Sequence, residues 1–380
     1  MAESTTRLVT YKDMLDHSVD YLGVNVTGDA SRDARRCVQS AYRAFTSMRS
    51  WTCYYTRGRL TTVAAQTTGT IAFDYTGGAN ERQLTLTGSS WPSWVPYGTV
   101  IIGSVAYEVA DTISSTVITL AANSNPGEDV AAGTSYTLYR DTYPMPIDFQ
   151  AGDQPVGNEL FNLNYVHPSQ WLRNQQTFTS VGLPTIYSFM TDPNYYGTVA
   201  IKFWPAPNSA QTYDFIYKRT PRPLLLDEYK TGTATCTIAL DTVVGVGTQW
   251  KDSMVGSIIR FSANKTDLPS GLAGANPFQI QRTIVSVESV TGLTVDRVVR
   301  ETLSGVKYTI SDPVDIEDGA MLVGLQREIE KELRISRRMK PAPEEERRYR
   351  DAMAAAMEND ARSFQPRQTY DRMNVGGTYG

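Results

Sequence analysis

A chain of 380 residues with a formal net charge of −4 is long enough for two or three compact units and a substantial buried core. Its ordinary apolar and charged fractions exclude wholesale disorder, and the charge balance gives no global attraction to nucleic acid or to an anionic membrane. The 22 tyrosines, together with abundant Thr, Gly and Val, favour strands, turns and aromatic contact surfaces.

In chain order, the first part reads as helical. Residues 9–22 form a short amphipathic segment, and a stronger one follows. There Ala34, Cys37, Val38, Ala41, Tyr42, Phe45 and Met48 recur at helical spacing, with Arg32, Arg35, Arg36, Arg43 and Arg49 on the opposite side. Asp29 or Ser31 is placed to cap its first turn. From 59 to 140 the pattern becomes short strands, such as Thr70-Ile71-Ala72-Phe73 and Thr99-Val100-Ile101-Ile102, punctuated by Gly77-Gly78, Gly88 and Asn125-Pro126-Gly127. The stretch 141–230 is also β-rich, with more Pro and aromatic residues, and a second β run covers 231–312. Helix returns over 313–362, where Leu322, Leu325, Ile329 and Leu333 form one stripe and Tyr349, Ala352, Met353, Ala356 and Met357 another. Pro341-Ala342-Pro343 separates the two, and Asp315, Glu317 and Asp318 suit the start of the first, with Asp315 as its cap. Residues 363–380 lack periodicity and read as an arm.

The two β runs repeat the same landmarks. The first has Thr68-Gly69-Thr70, Gly88-x-x-Trp91, Gly98-Thr99-Val100-Ile101-Ile102 and Gly133-x-x-Tyr136-Thr137-Leu138. The second has Thr231-Gly232-Thr233, Gly247-x-x-Trp250, Gly256-Ser257-Ile258-Ile259 and Gly305-x-x-Tyr308-Thr309-Ile310. Such agreement in order and residue type points to two copies of one small β module, a sandwich or barrel. Apolar stripes at both ends of the chain must be buried, and packing the terminal helices together is the economical solution. The expected class is therefore α+β. A bundle of N- and C-terminal helices (1–58 and 313–362) would carry a central antiparallel unit (141–230), two inserted modules (59–140 and 231–312) and an extended arm (363–380).

The central stretch carries a resemblance. Leu183-Pro184-Thr185-Ile186-Tyr187 precedes Val199-Ala200-Ile201-Lys202-Phe203-Trp204-Pro205-Ala206-Pro207; then come Thr212-Tyr213-Asp214-Phe215-Ile216-Tyr217-Lys218-Arg219 and Pro221-Arg222-Pro223-Leu224. With Tyr143-Pro144-Met145-Pro146-Ile147-Asp148-Phe149 upstream, this resembles the head-to-tail adaptor (connector) proteins of tailed bacteriophages, although Gly182 falls one residue early for the simplest form of the pattern. The resemblance implies a virion protein assembled in the host cytoplasm into a homo-oligomeric ring, usually of about twelve subunits. That ring would sit beneath the portal protein, extend the channel for double-stranded DNA without sequence-specific binding, and provide a platform for tail or nozzle proteins. Independently, Tyr213, Phe215 and Tyr217 alternate onto one sheet face, which is read as core.

Catalytic and ligand-binding patterns are sparse. The two histidines, His17 and His167, lie near no nucleophile motif, and the acidic cluster around Asp312 and Asp315 lacks the spacing of a calcium loop. No enzymatic activity, cofactor or metal is expected. Cys37, Cys53 and Cys236 fit no metal pattern and read as buried hydrophobes of a reducing compartment. Residues 1–10 are polar, so no secretory leader is expected, and no apolar run reaches the roughly 18 residues of a membrane span. Two contact surfaces are anticipated: an arm meeting the portal through Phe364, Arg367, Tyr370, Arg372 and Tyr379, and inter-subunit helix contacts through Arg327, Lys331, Arg334, Arg337 and Arg338. The alternative is a tail or receptor-binding protein that uses the two modules, with Trp91 and Trp94 as a sugar platform.

Overall fold

The computed structural model describes residues 8–23, 29–75, 81–152, 155–157, 163–175, 180–192, 197–270, 276–316, 319–340 and 342–363. Five helices lie among them: α1 (Tyr11–Leu22), α2 (Asp29–Ser47), α3 (Pro168–Gln175), α4 (Ala320–Ser336) and α5 (Pro343–Ser363). Among the described residues strand (37%) outweighs helix (25%), in several large sheets, so the protein is mostly β. This corrects the expected α+β class built on a helical bundle. An amphipathic stripe says that a face is buried, not what buries it. Here Trp51, Tyr54, Leu224 and Val314, all outside the five α-helices, share the core that covers the helical stripes.

The chain forms two compact units, 1–54 together with 221–380, and 55–220. In the first, Met14 of α1, Phe45 of α2, Leu325 and Ile329 of α4 and Met353 of α5 meet in that shared core. Gly324 permits the close approach, since a Cβ there would sit 3.0 Å from the Phe45 ring and 3.3 Å from Ala356. Helix α1 opens with a capping box: the Asp13 carboxylate accepts from the Thr10 amide at 2.9 Å, and the Thr10 hydroxyl accepts from the Asp13 amide.

In the second unit, Tyr55–Thr61 runs antiparallel to Thr212–Arg219 along its full length, and Phe149–Gly152 flanks the other side. A second sheet orders Asn164–Tyr165, Ile186–Thr191, Val199–Trp204 and Thr142–Pro144. Tyr143, Tyr187, Phe203, Tyr213, Phe215 and Tyr217 form an aromatic core for this part, with Phe203 stacked on Tyr213 at 5.1 Å. The alternation in Thr212–Arg219 therefore does mark a buried face. Pro205 ends the strand Val199–Trp204, after which Ala206–Pro207 pairs in parallel with Val181–Gly182.

The two repeats have one topology. With the seven strands of each module counted in chain order, both sheets run 6-1-2-5-4-3-7, antiparallel throughout. Strands 6 and 7 lie at opposite edges yet are separated by one residue, Ser135 in the first module and Lys307 in the second. That link draws the edges together and rolls each sheet into a barrel around its own core. Gly69 and Gly232 both have positive φ (94° and 86°), and a Cβ on either would lie 2.5 or 2.4 Å from a carbonyl oxygen, of Thr87 or Val246. The landmark aromatics pair edge-on, Trp91 with Tyr136 and Trp250 with Tyr308, and both tyrosine hydroxyls donate to the threonine before the glycine (Thr68 O at 2.9 Å, Thr231 O at 2.6 Å). Each module also has its entrance hydrogen-bonded to its exit: Gln66 exchanges two 2.8 Å backbone bonds with Leu138, and Tyr229 two with Ile310.

One difference inside this shared frame is testable. Tyr308 also accepts from Trp250 Nε1 at 3.0 Å, whereas Trp91 Nε1 has no partner among the described residues. Tyr308→Phe should cost roughly 2–3 kcal/mol, because it strands a buried donor, and Tyr136→Phe about 1 kcal/mol. Amide exchange followed separately in each module measures both.

Candidate interaction surfaces

The basic residues of α4 are largely engaged inside the chain. Arg327 donates twice to Glu330, at 2.8 and 2.6 Å. Lys331 bonds Glu328 at 2.9 Å and lies 4.7 Å from the Tyr349 ring centroid, while Tyr349 itself donates to Glu328. Arg334, with only 8% of its side chain exposed, reaches Glu345 of α5 at 2.7 Å. From α1, His17 Nε2 approaches Glu330 at 3.2 Å. Burial works against ionisation of Glu330, but hydrogen bonds from His17 and Arg327 outweigh it and lower its pKa. Of the five anticipated inter-subunit residues, Arg337 and Arg338 are the exposed ones, just past the end of α4. The anticipated arm residues Phe364, Arg367, Tyr370, Arg372 and Tyr379 lie outside the described residues.

A second charged assembly sits where α1 meets the second module. Arg260, on strand Ile258–Phe261, donates to both oxygens of Asp13 at 2.8 and 2.7 Å and to Leu8 O at 2.8 Å. The two side chains are 4% and 0% exposed. Burial alone would raise the Asp13 pKa, but the Arg260 hydrogen bonds and charge, aided by Thr10, prevail and lower it. Beside this pair, Asp312 accepts from the amides of Leu225 and Leu226 (2.8 and 2.6 Å), from Ser257 Oγ at 2.8 Å and from Arg222 at 3.2 Å. These carboxylates are structural joints with their lone pairs occupied. Asp315 does not cap α4; Gly319 occupies that position with no side-chain cap, while Asp315 accepts from the Arg222 amide. Glu317 and Asp318 lie outside the described residues, as do the side chains of Asp29 and Ser31.

Among the described residues, reactive groups do not converge. His167 Nδ1 lies 2.8 Å from Ser169 Oγ and 3.2 Å from its amide, a local turn arrangement at the start of α3. Cys37 and Cys236 are buried, which raises both thiol pKa values, and all three cysteines are free. Among the described residues, no group of three or more His, Cys, Asp or Glu is placed to hold a metal, and no helix is long and apolar enough to cross a membrane. Trp91 is buried against Tyr136, which removes it from any sugar platform with Trp94. A polar cleft of about 420 Å³ in the second unit is lined by Tyr97, Glu108, Arg140, Asp141, Asp192 and Lys202. Three of its charges are already engaged: Lys202 pairs with Asp141 at 3.2 Å, and Arg140 lies over the rings of Tyr97 and Tyr143. On the exposed side of the neighbouring sheet, Arg59 and Arg57 clasp Asp214 and hold its carboxyl at about 2.

A surface the sequence reading passed over lies on the second module. Val244 and Val246, at alternate positions of one strand, and Leu240 just before it stand out into solvent, Val246 67% exposed. Aligning the modules on Gly88 and Gly247 reveals the anomaly from sequence alone, since Thr85 and Thr87 occupy the places of Val244 and Val246.

No protein-family model, curated protein or solved structure matches this chain.

The Asp13–Arg260 pair generates a prediction. Asp13→Ala leaves a buried guanidinium unpaired and should destabilise the first unit by about 3–5 kcal/mol; adding Arg260→Met should recover part of that loss. Because the native Asp13 pKa is lowered from its ordinary 3.8, its stabilising contribution is full above that value and disappears as pH falls through the lowered one. Thermal melts between about pH 5 and about pH 2 should therefore decline more steeply for the natural protein than for the double variant.

Proposed function

We propose that this chain is a structural virion protein, a head-to-tail adaptor of a tailed bacteriophage that forms a ring beneath the portal. In that role it extends the DNA channel and offers the tail a platform, working through shape and contact area. The observation that carries the reading is the fate of the motif residues at 143–149 and 183–219. Tyr143, Tyr187, Phe203, Tyr213, Phe215 and Tyr217 are the aromatic core of a sheet-built unit, so the likeness rests on architecture and not on a reactive centre. Two further features support it. Both modules spend their landmark tryptophans on internal packing, and the charged helices α4 and α5 brace each other through paired side chains. Acidic and basic groups interleave in that helical surface, which suits a conduit that must let DNA slide, because each neutralised phosphate would add to retention.

The receptor-binding alternative is weaker on the same evidence, since Trp91 and Trp250 are both buried. Electron microscopy of the purified protein mixed with its portal tests the proposal. The expected outcome is a ring of this chain seated on the portal; a monomer that forms no ring with or without portal would overturn it. Removing 363–380 should abolish portal attachment while leaving the thermal unfolding of the remaining chain unchanged, and unchanged attachment would refute the arm's role.

A further inference from the structure

The duplication supplies an internal control for surface chemistry. Strand 2 of each module, Gln83–Thr87 and Thr242–Val246, has the same partners and the same outward face. That face reads Gln83, Thr85 and Thr87 in the first module, and Thr242, Val244 and Val246 in the second, where exposed Leu240 stands just before the strand. Folding therefore does not require aliphatic residues there. Water contact at Leu240, Val244 and Val246 costs solvation free energy that the sister module avoids.

The backbone around this stripe is held in place. Ala239 adopts φ +65°, a strained conformation for a residue with a Cβ, between the exposed Ile238 and Leu240. Ala239 N bonds Val299 O at 2.8 Å, Val299 N bonds Leu240 O at 2.9 Å, and Ile238 N bonds Thr302 Oγ1 at 3.0 Å. These bonds, two of them made by buried Val299, bring exposed Arg297 (paired with Asp296 at 3.1 Å), Val298 and Arg300 alongside the stripe.

The modules also differ in charge. Residues 68–139 carry six acidic side chains (Asp74, Glu81, Glu108, Asp111, Glu128 and Asp129) against one basic, Arg82, whereas 231–311 carry six acidic and seven basic. Strand Val105–Thr112 of the first module presents exposed Glu108 and Asp111, with exposed Val105 and Ile113 at its ends. Acid and aliphatic groups there complement the aliphatic and arginine groups on the second module. Two first modules would repel each other.

We infer that the outer face of the second module, Leu240, Val244 and Val246 with Arg297 and Arg300, docks the first module of another copy of this chain along strand Val105–Thr112. Such a contact joins unlike surfaces and so propagates head to tail, closing into a ring when the rotation per copy divides a full turn. The inference rests on the adaptor proposal only in taking copies of this chain to assemble with one another.

Native mass spectrometry and sedimentation of the full chain test it. V244T/V246T installs the residues the first module already bears, so folding is preserved, and should weaken copy–copy association by about tenfold or more. R297E/R300E and E108K/D111K should each weaken it similarly, and mixing these two variants should restore mixed oligomers to within about threefold of the natural affinity. Unchanged association of V244T/V246T would overturn the inference. So would insensitivity to E108K/D111K, which would mean the face pairs with itself, or a natural chain still monomeric at about 1 mM. Portal-bound rings that form equally well with V244T/V246T would sink this contact and leave the adaptor proposal standing. Self-association through this face without any portal ring would do the reverse.

Discussion

Arg260 and Asp13 are separated by 247 positions and meet in a place with almost no water. Either charge alone would be untenable there; together they are held at hydrogen-bond distance, and the same guanidinium also takes the carbonyl of Leu8. The consequence reaches outward in two directions. Asp13 is the carboxylate of the α1 capping box, so the start of that helix is set by a residue of the second module. Asp312, at the exit of the module, gathers two amides of the segment that enters it, together with Ser257 and Arg222. Entry, exit, helix and barrel are thus locked by two carboxylates, and the geometry of the first unit follows from them.

The two modules show how one backbone serves two surfaces. Interior devices are shared: a positive-φ glycine packed on a carbonyl, an edge-on Trp–Tyr pair, and a tyrosine hydroxyl tied to a threonine carbonyl. The exteriors have diverged in polarity and in charge. Since the folding constraints are matched, the divergence reports on what each exterior meets.

Much of this was legible in the sequence because the repeat is written in residues whose chemistry has few substitutes. Gly69 and Gly232 stand where a side chain would strike backbone, and Tyr136 and Tyr308 stand where a hydroxyl must reach a carbonyl. The alternation of Tyr213, Phe215 and Tyr217 likewise announced a buried face. What escaped was anything set by partners remote in the chain. The stripes on α1, α2, α4 and α5 gave no sign that Trp51, Leu224 and Val314 would share their burial, so helix was given too large a role. Arg327, Lys331 and Arg334 look like an outward contact face by spacing, yet Glu330, Glu328 and Glu345 engage them within the chain. Asp315 had the composition of a cap, but the Arg222 amide, 93 positions away, claims its carboxylate.

The paired hydrogen bonds between Gln66 and Leu138, and between Tyr229 and Ile310, have a meaning beyond packing. They place the beginning and end of each module about 5.5 Å apart, the spacing of directly opposed residues in an antiparallel ladder. A barrel with its ends so close can be spliced into a host chain by widening a gap no larger than a tight turn, and its loss leaves a gap equally small. The gene segment encoding such a barrel can therefore be joined to a host chain by recombination at a tight turn; in the second module the Arg260–Asp13 pair adds a tie to the host that the paired ends alone do not make. Two barrels of one topology in a single chain are what the copying of such a segment would leave.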